Sequence, residues 1–220
     1  MERHDVLSTY LTDVYVAILG LVTFMVSGCV SAEYIVSYLG YKSFLILFIP
    51  FGCIGGIHYY HHISNFKQTL CAWGMAYFLG VPLGLRLVDV PLDIILQATL
   101  LTICVFVSFT IISLFTPRPH ILAYGGPLLA SIFFIIMALI LNIFINNTIF
   151  FTLINYFSLI VYSLIVVYDT TLIIEKWHHG ERCVMLSAVT LFLDLINIFH
   201  DLLDILEKKD LNKNKNKNKN

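Results

Sequence analysis

Fifty consecutive residues, 119–168, contain no Asp, Glu, Lys or Arg. A soluble fold cannot carry its chain that far without placing charge on the surface, whereas a bilayer requires such a run: one helix needs about 20 apolar residues to cross the hydrocarbon core. The run is long enough for two crossings, and Asn146-Asn147 marks the turn between them. Composition extends the reading to the whole chain. Of 220 residues, 59% are hydrophobic and 12% charged, about half the charge of an ordinary soluble domain, which excludes a soluble enzyme. Uncharged windows at 14–32, 43–66, 68–85 and 94–117 each fit one helix, and 121–145 and 148–174 bring the spans to six. Breakers fall at or between their ends: Gly40, Pro82 with Gly84, Pro91, and Pro117-Arg118-Pro119. Gly125-Gly126-Pro127 lies inside the fifth span and is expected to kink it or let a neighbouring helix approach closely.

The segment 183–206 is of another kind. Its polar residues Ser187, Thr190, Asp194, Asn197, Asp201 and Asp204 recur at steps of three and four, which places them on one face of an otherwise apolar helix. In lipid such a stripe faces the bundle interior or a wet cavity. The preceding helix repeats the pattern with Asn155, Ser158, Tyr162 and Asp169. The expected fold is therefore an all-α membrane protein, six transmembrane helices plus a seventh C-terminal helix that spans or re-enters, packed as a seven-helix bundle. Around this polytopic domain (14–206) lie a short N-terminal segment (1–13) and a Lys/Asn-rich tail (207–220) too polar to pack.

Lysine and arginine distribution bears on how the last helix ends. If it dips in and returns, one side collects Arg3, Lys67, Arg118, Lys176, Arg182 and the six tail lysines, against Lys42 and Arg86. If it spans, the tail lysines change sides. The charge rule thus favours a re-entrant helix with both termini cytosolic. The formal net charge of −1 gives no reason to expect a nucleic-acid partner. The cysteines, Cys29, Cys53, Cys71, Cys104 and Cys183, form no CxxC pair, so neither a disulfide framework nor a zinc site is implied, and no cofactor is expected.

Chemistry concentrates at Asp169 and Asp194. A carboxylate at membrane depth is costly unless protonated, paired or hydrated. Two that meet share a proton and respond to pH, and when both are ionised they offer an oxygen-rich site for a transiently bound calcium ion. Spacing alone leaves open whether they meet or each bonds a hydroxyl on its neighbour.

At these residues the chain resembles a known family. VVYDTTLIIEKWHHG is similar to the FDTQ-LIIEKAxxG stretch of the Bax inhibitor family, and LSAVTLFLDLINIFHDLLDIL to its closing signature helix. LTDVYVAIL resembles the opening LxxVYxTLA element, FLGVPLG the GxxLGP turn, and SLFTPRPHILAYGGPLLASI the corner between the fourth and fifth helices. The resemblance covers about 11–209 and is nearest to the endoplasmic-reticulum branch, whose members also end in a lysine-rich tail. It implies a seven-helix bundle around the last helix, with Asp169 and Asp194 as pore aspartates. By the same resemblance the protein is a pH-sensitive calcium leak of the endoplasmic reticulum membrane that suppresses cell death, with the lipid bilayer, calcium ions and apoptosis-regulating membrane proteins as partners. Asn155, Ser158, Tyr162, Ser187, Thr190, Asn197 and Asp201 are the expected pore-lining stripe. Thr171 stands where the family has Gln. The bacterial relatives place an arginine near the aspartate pair, for which Arg86 is a weak match.

Other polar residues have plainer readings. His58 and His62 have metal-ligand spacing but no third ligand, so an interfacial cluster is expected. His178 and His179, in the turn after the sixth span, are expected to be solvated. Asp201 and Asp204, at the low end of the stripe, either draw cations toward the pore or sit exposed, the second being the more ordinary outcome. Glu33, Asp89 and Asp93 suit helix ends. Two rival functions remain. An intramembrane aspartyl protease also needs two aspartates on adjacent helices, but Asp194 lacks the GxGD turn and no PAL motif follows. A non-conducting adaptor acting through protein partners is the stronger rival.

Overall fold

The computed structural model describes residues 2–39, 48–60 and 63–217. Among them are eight helices: α1 (Glu2–Leu39), α2 (Ile49–Tyr60), α3 (Asn65–Leu87), α4 (Leu92–Phe115), α5 (Arg118–Leu122), α6 (Gly125–Ile145), α7 (Thr148–His178) and α8 (Val184–Lys217). Six stretches are long and apolar enough to cross a membrane: Val6–Tyr38, Asn65–Leu87, Leu92–Phe115, Arg118–Ile145, Thr148–His178 and Val184–Leu211. The all-α membrane architecture expected from the charge gaps is present. The window at 43–66 falls partly outside the described residues, as does His62 of the proposed histidine pair.

Turn chemistry sets the helix ends. Asn146 adopts φ 48° after α6 and donates its backbone N–H to Asn142 O at 2.8 Å, the left-handed C-terminal stop that asparagine tolerates. Asn147 then caps α7, its Oδ1 accepting from the N–H groups of Ile149 (2.9 Å) and Phe150 (3.3 Å). Gly180, at φ 90°, permits the turn into α8.

Several expectations are corrected. The 1–13 segment is not separate, because α1 begins at Glu2. Gly125-Gly126-Pro127 does not kink a span but opens α6, after α5 has ended at Leu122. Proline is tolerated in a first turn, where its missing N–H has no intrahelical partner. Conversely, Pro82 lies inside α3. The tail is not wholly irregular, since α8 continues to Lys217.

The helices form two compact units. The first holds α1, α2, α3 and Trp177–Phe192; the second holds Val90–Lys176 and the remainder of α8. In the first, α1 lies against α3 at backbone contact. A Cβ on Gly80 would collide with Met25 O, one on Gly28 with Tyr77 O, and one on Gly84 with Cys29 O. Such small residues let two helices approach closely where lipid offers no hydrophobic drive to do so. Ala32 and Val81 bury beside them, and Ser31 Oγ hydrogen-bonds Tyr77 Oη at 2.7 Å.

In the second unit α6 packs on α7 through Ile135, Ala138, Ile154, Val161 and Ile165. Elsewhere α6 is exposed, with Phe133, Ile143 and Phe144 all outward, as suits a lipid-facing helix. Helix α8 runs antiparallel to α7 in constant register: Ser158 meets Asp201, Asn155 meets Asp204 and Thr152 meets Lys208. The end of α8 therefore lies level with the start of α7. That overturns the re-entrant expectation, which rested on counting tail lysines, and charges this far from the spans weigh little in orientation.

Candidate ion site between the last two helices

Asp169 sits nine residues before the end of α7 and Asp194 ten residues into α8. In antiparallel helices joined by a short turn these positions come level, and the two carboxyls lie close enough to interact directly. Carboxyls that close titrate as a pair. Asp194 is 6% exposed, and its Oδ2 is buried without a hydrogen-bond partner. Beside Asp169, Thr170 Oγ1 is likewise buried and unpartnered. Unsatisfied oxygens at this depth cost free energy, and a cation or water bound there would recover it. No three His, Cys, Asp or Glu side chains converge on a metal-sized point among the described residues.

Packing fixes the aspartate on α7. Tyr168, its neighbour, lies against Gly125, where an added Cβ would stand 2.6 Å from the tyrosine Oη. Glu175 pairs with Arg118 of α5 at 3.6 Å. The basic side chain whose field reaches Asp169 is Lys176, two turns on along α7. Arg86 lies near the end of α3, in the first unit, while both aspartates are in the second.

The stripe residues divide. Asn155 and Ser158, each 3% exposed, hold the lower part of α8: Asn155 Nδ2 donates to Asp204 Oδ2 at 3.0 Å and Ser158 Oγ to Asp201 Oδ2 at 2.7 Å. Asp201 and Asp204 are thus half-buried and partnered, not exposed as the ordinary reading had it, because α7 presents a donor to each. Tyr162 packs on the α6–α7 core. In the first unit Ser187 bonds Tyr10 Oη at 3.0 Å, and Thr190 donates to Leu186 O of its own helix. His178 and His179 are exposed. Lys208 was missed by the sequence reading: its Nζ donates to Thr152 at 3.2 Å and lies 3.7 Å from the Phe151 ring centroid. A signal was present, since Lys208 follows Asp201 and Asp204 by seven and four residues on the same face.

Comparison with known proteins agrees with the motifs. A family described as inhibitor of apoptosis-promoting Bax1 matches residues 7–210. The chain is 31% identical over 157 residues to a probable Bax inhibitor 1 of Paralichthys olivaceus, covering 70% of this chain and 66% of that protein. It is 30% identical over 155 residues to human Bax inhibitor 1, covering 69% and 65%. A Golgi anti-apoptotic protein of vaccinia virus (strain Lister) is 30% identical over 168 residues, covering 74% and 68%. The matched stretch spans just under two thirds of the fish and human proteins' own length. With the family match running from residue 7 in α1 to residue 210 in α8, the chain belongs to the Bax inhibitor family.

Proposed function

We infer that the protein is a pH-sensitive calcium leak of an intracellular membrane, placed in the endoplasmic reticulum, which lowers store calcium and so suppresses cell death. The observation that carries this is the Asp169–Asp194 contact at span depth, with one Asp194 oxygen buried and unpartnered. A proton shared there makes the site answer to pH, and its loss leaves two adjacent carboxylates that attract calcium. Asn155, Ser158, Tyr162, Asn197 and Asp201 extend a polar face from the pair along α7 and α8, and Ser187 and Thr190 continue it toward the start of α8. The suppression of cell death is supported by the names of the human and viral relatives, and the reticulum by the resemblance to the family's endoplasmic-reticulum branch. The protein acts as no enzyme in this reading, and its partners are the bilayer, calcium and membrane proteins that regulate apoptosis.

Purified protein in calcium-free liposomes should admit calcium with no partner present, at a rate that changes with pH. If it admits none at any pH, the protein works as a non-conducting adaptor.

A further inference from the structure

A second polar feature lies away from the aspartate pair. A half-open cavity of about 230 Å³ is lined by Asn155, Ser158 and Tyr162 of α7 and by Asn197, Asp201 and Asp204 of α8, with His200 beside them, while Phe151, Ile154 and α6 make the rest of its wall apolar. A bound water needs two to four polar partners, and the α7–α8 side supplies them. Ser158 lies ten residues into α7, about 15 Å of helix rise from its start, so the chamber sits well inside the span. Seven residues of α8 separate Asp194 from Asp201, about 10 Å, too far for one ion to touch both. The hydrogen bonds from Ser158 and Asn155 each engage Oδ2 of their carboxylate and fix both acids against the cavity. Carboxylate, amide and hydroxyl oxygens from α7 and α8 form a hard-oxygen set with room for retained water.

We propose that this cavity is a second cation station, binding a hydrated divalent cation independently of Asp169 and Asp194. It rests on the leak reading for the cation's identity but not for the binding. Ions released by the aspartate pair would pause here on the way toward the Lys208 end of α8, and two stations in series keep each from holding its ion too tightly to conduct.

The test uses the full chain in nanodiscs with terbium as the calcium probe, read by its luminescence on tyrosine excitation, with Tyr162 as the donor in the wall. Luminescence should saturate, be displaced by calcium and survive in Asp169→Asn/Asp194→Asn. It should weaken by about tenfold in affinity in Asp201→Asn/Asp204→Asn. Should that variant not fold, Asn197→Ala removes one wall oxygen while leaving both interhelical hydrogen bonds, and a weakening of about threefold is expected. Unchanged affinity in whichever cavity variant folds, or loss of the signal in Asp169→Asn/Asp194→Asn, overturns the proposal. Retained terbium binding without calcium flux refutes the leak alone; flux without terbium binding refutes the cavity alone.

Discussion

The α1–α3 pair and the α7–α8 pair solve one problem by opposite means. Helices in lipid gain nothing by hiding apolar surface from an apolar solvent, so they are held by close packing or by hydrogen bonds. Between α1 and α3 glycines bring backbone against backbone at Gly28, Gly80 and Gly84, with no carboxylate among the contacting residues. Between α7 and α8 side chains do the holding, through Thr152–Lys208, Asn155–Asp204, Ser158–Asp201 and Asp169–Asp194. The second solution is looser and keeps protonatable groups and a cavity inside the span. A tight seam can only be structural; a polar seam can also pass an ion.

The largest effect is expected in the tight seam. Gly80→Leu drives a side chain into the Met25 carbonyl and should cost about 3 kcal/mol or prevent folding, read by thermal unfolding in detergent. Gly20, on α1, has open space where its Cβ would go, so Gly20→Leu should be tolerated. Equal damage from both would mean that the α1–α3 contact is not set by its glycines.

In the polar seam each rung is worth less. Ser158→Ala should cost about 0.6 kcal/mol, the usual size of one interhelical hydrogen bond in lipid, measured the same way. A loss as great as that of Gly80→Leu would erase the contrast between the seams. Smaller again is the effect on topology, where no stability change is expected. A glycosylation acceptor placed in the turn at 178–181 should stay unmodified in microsomes, and one appended after the tail should be modified. The antiparallel register sends the end of α8 to the membrane face opposite the Trp177 turn. Modification of the turn and not of the tail would invert the orientation.

The contrast also explains which parts were legible beforehand. The spans outside 43–66 follow from the uncharged windows, and the polar faces of α7 and α8 from periodicity, because charge at membrane depth is costly enough to leave a mark on the sequence. Whether Asp169 and Asp194 meet was open from spacing, since depth along each helix says nothing of tilt or stagger; the family motifs gave the stronger pointer. The partners of Asp201 and Asp204 were hidden because a hydrogen bond between helices leaves no spacing signal of its own. Of the two readings of Gly125-Gly126-Pro127, the kink fails because the same residues kink a helix or begin one and only the turn after α5 decides, whereas the close approach holds where Tyr168 of α7 lies against Gly125. FLGVPLG carried a resemblance to a family turn, yet Gly80 and Gly84 serve α1, a contact visible only in three dimensions.

Calcium flux through the purified, reconstituted chain, compared with Asp169→Asn and Asp194→Asn across a range of pH, tests the central claim most directly. Wild type should leak in a pH-dependent manner, and both folded variants should lose the leak or its dependence on pH. Equal flux from wild type, both variants and empty liposomes at every pH would contradict the account and leave a protein that acts only through its partners.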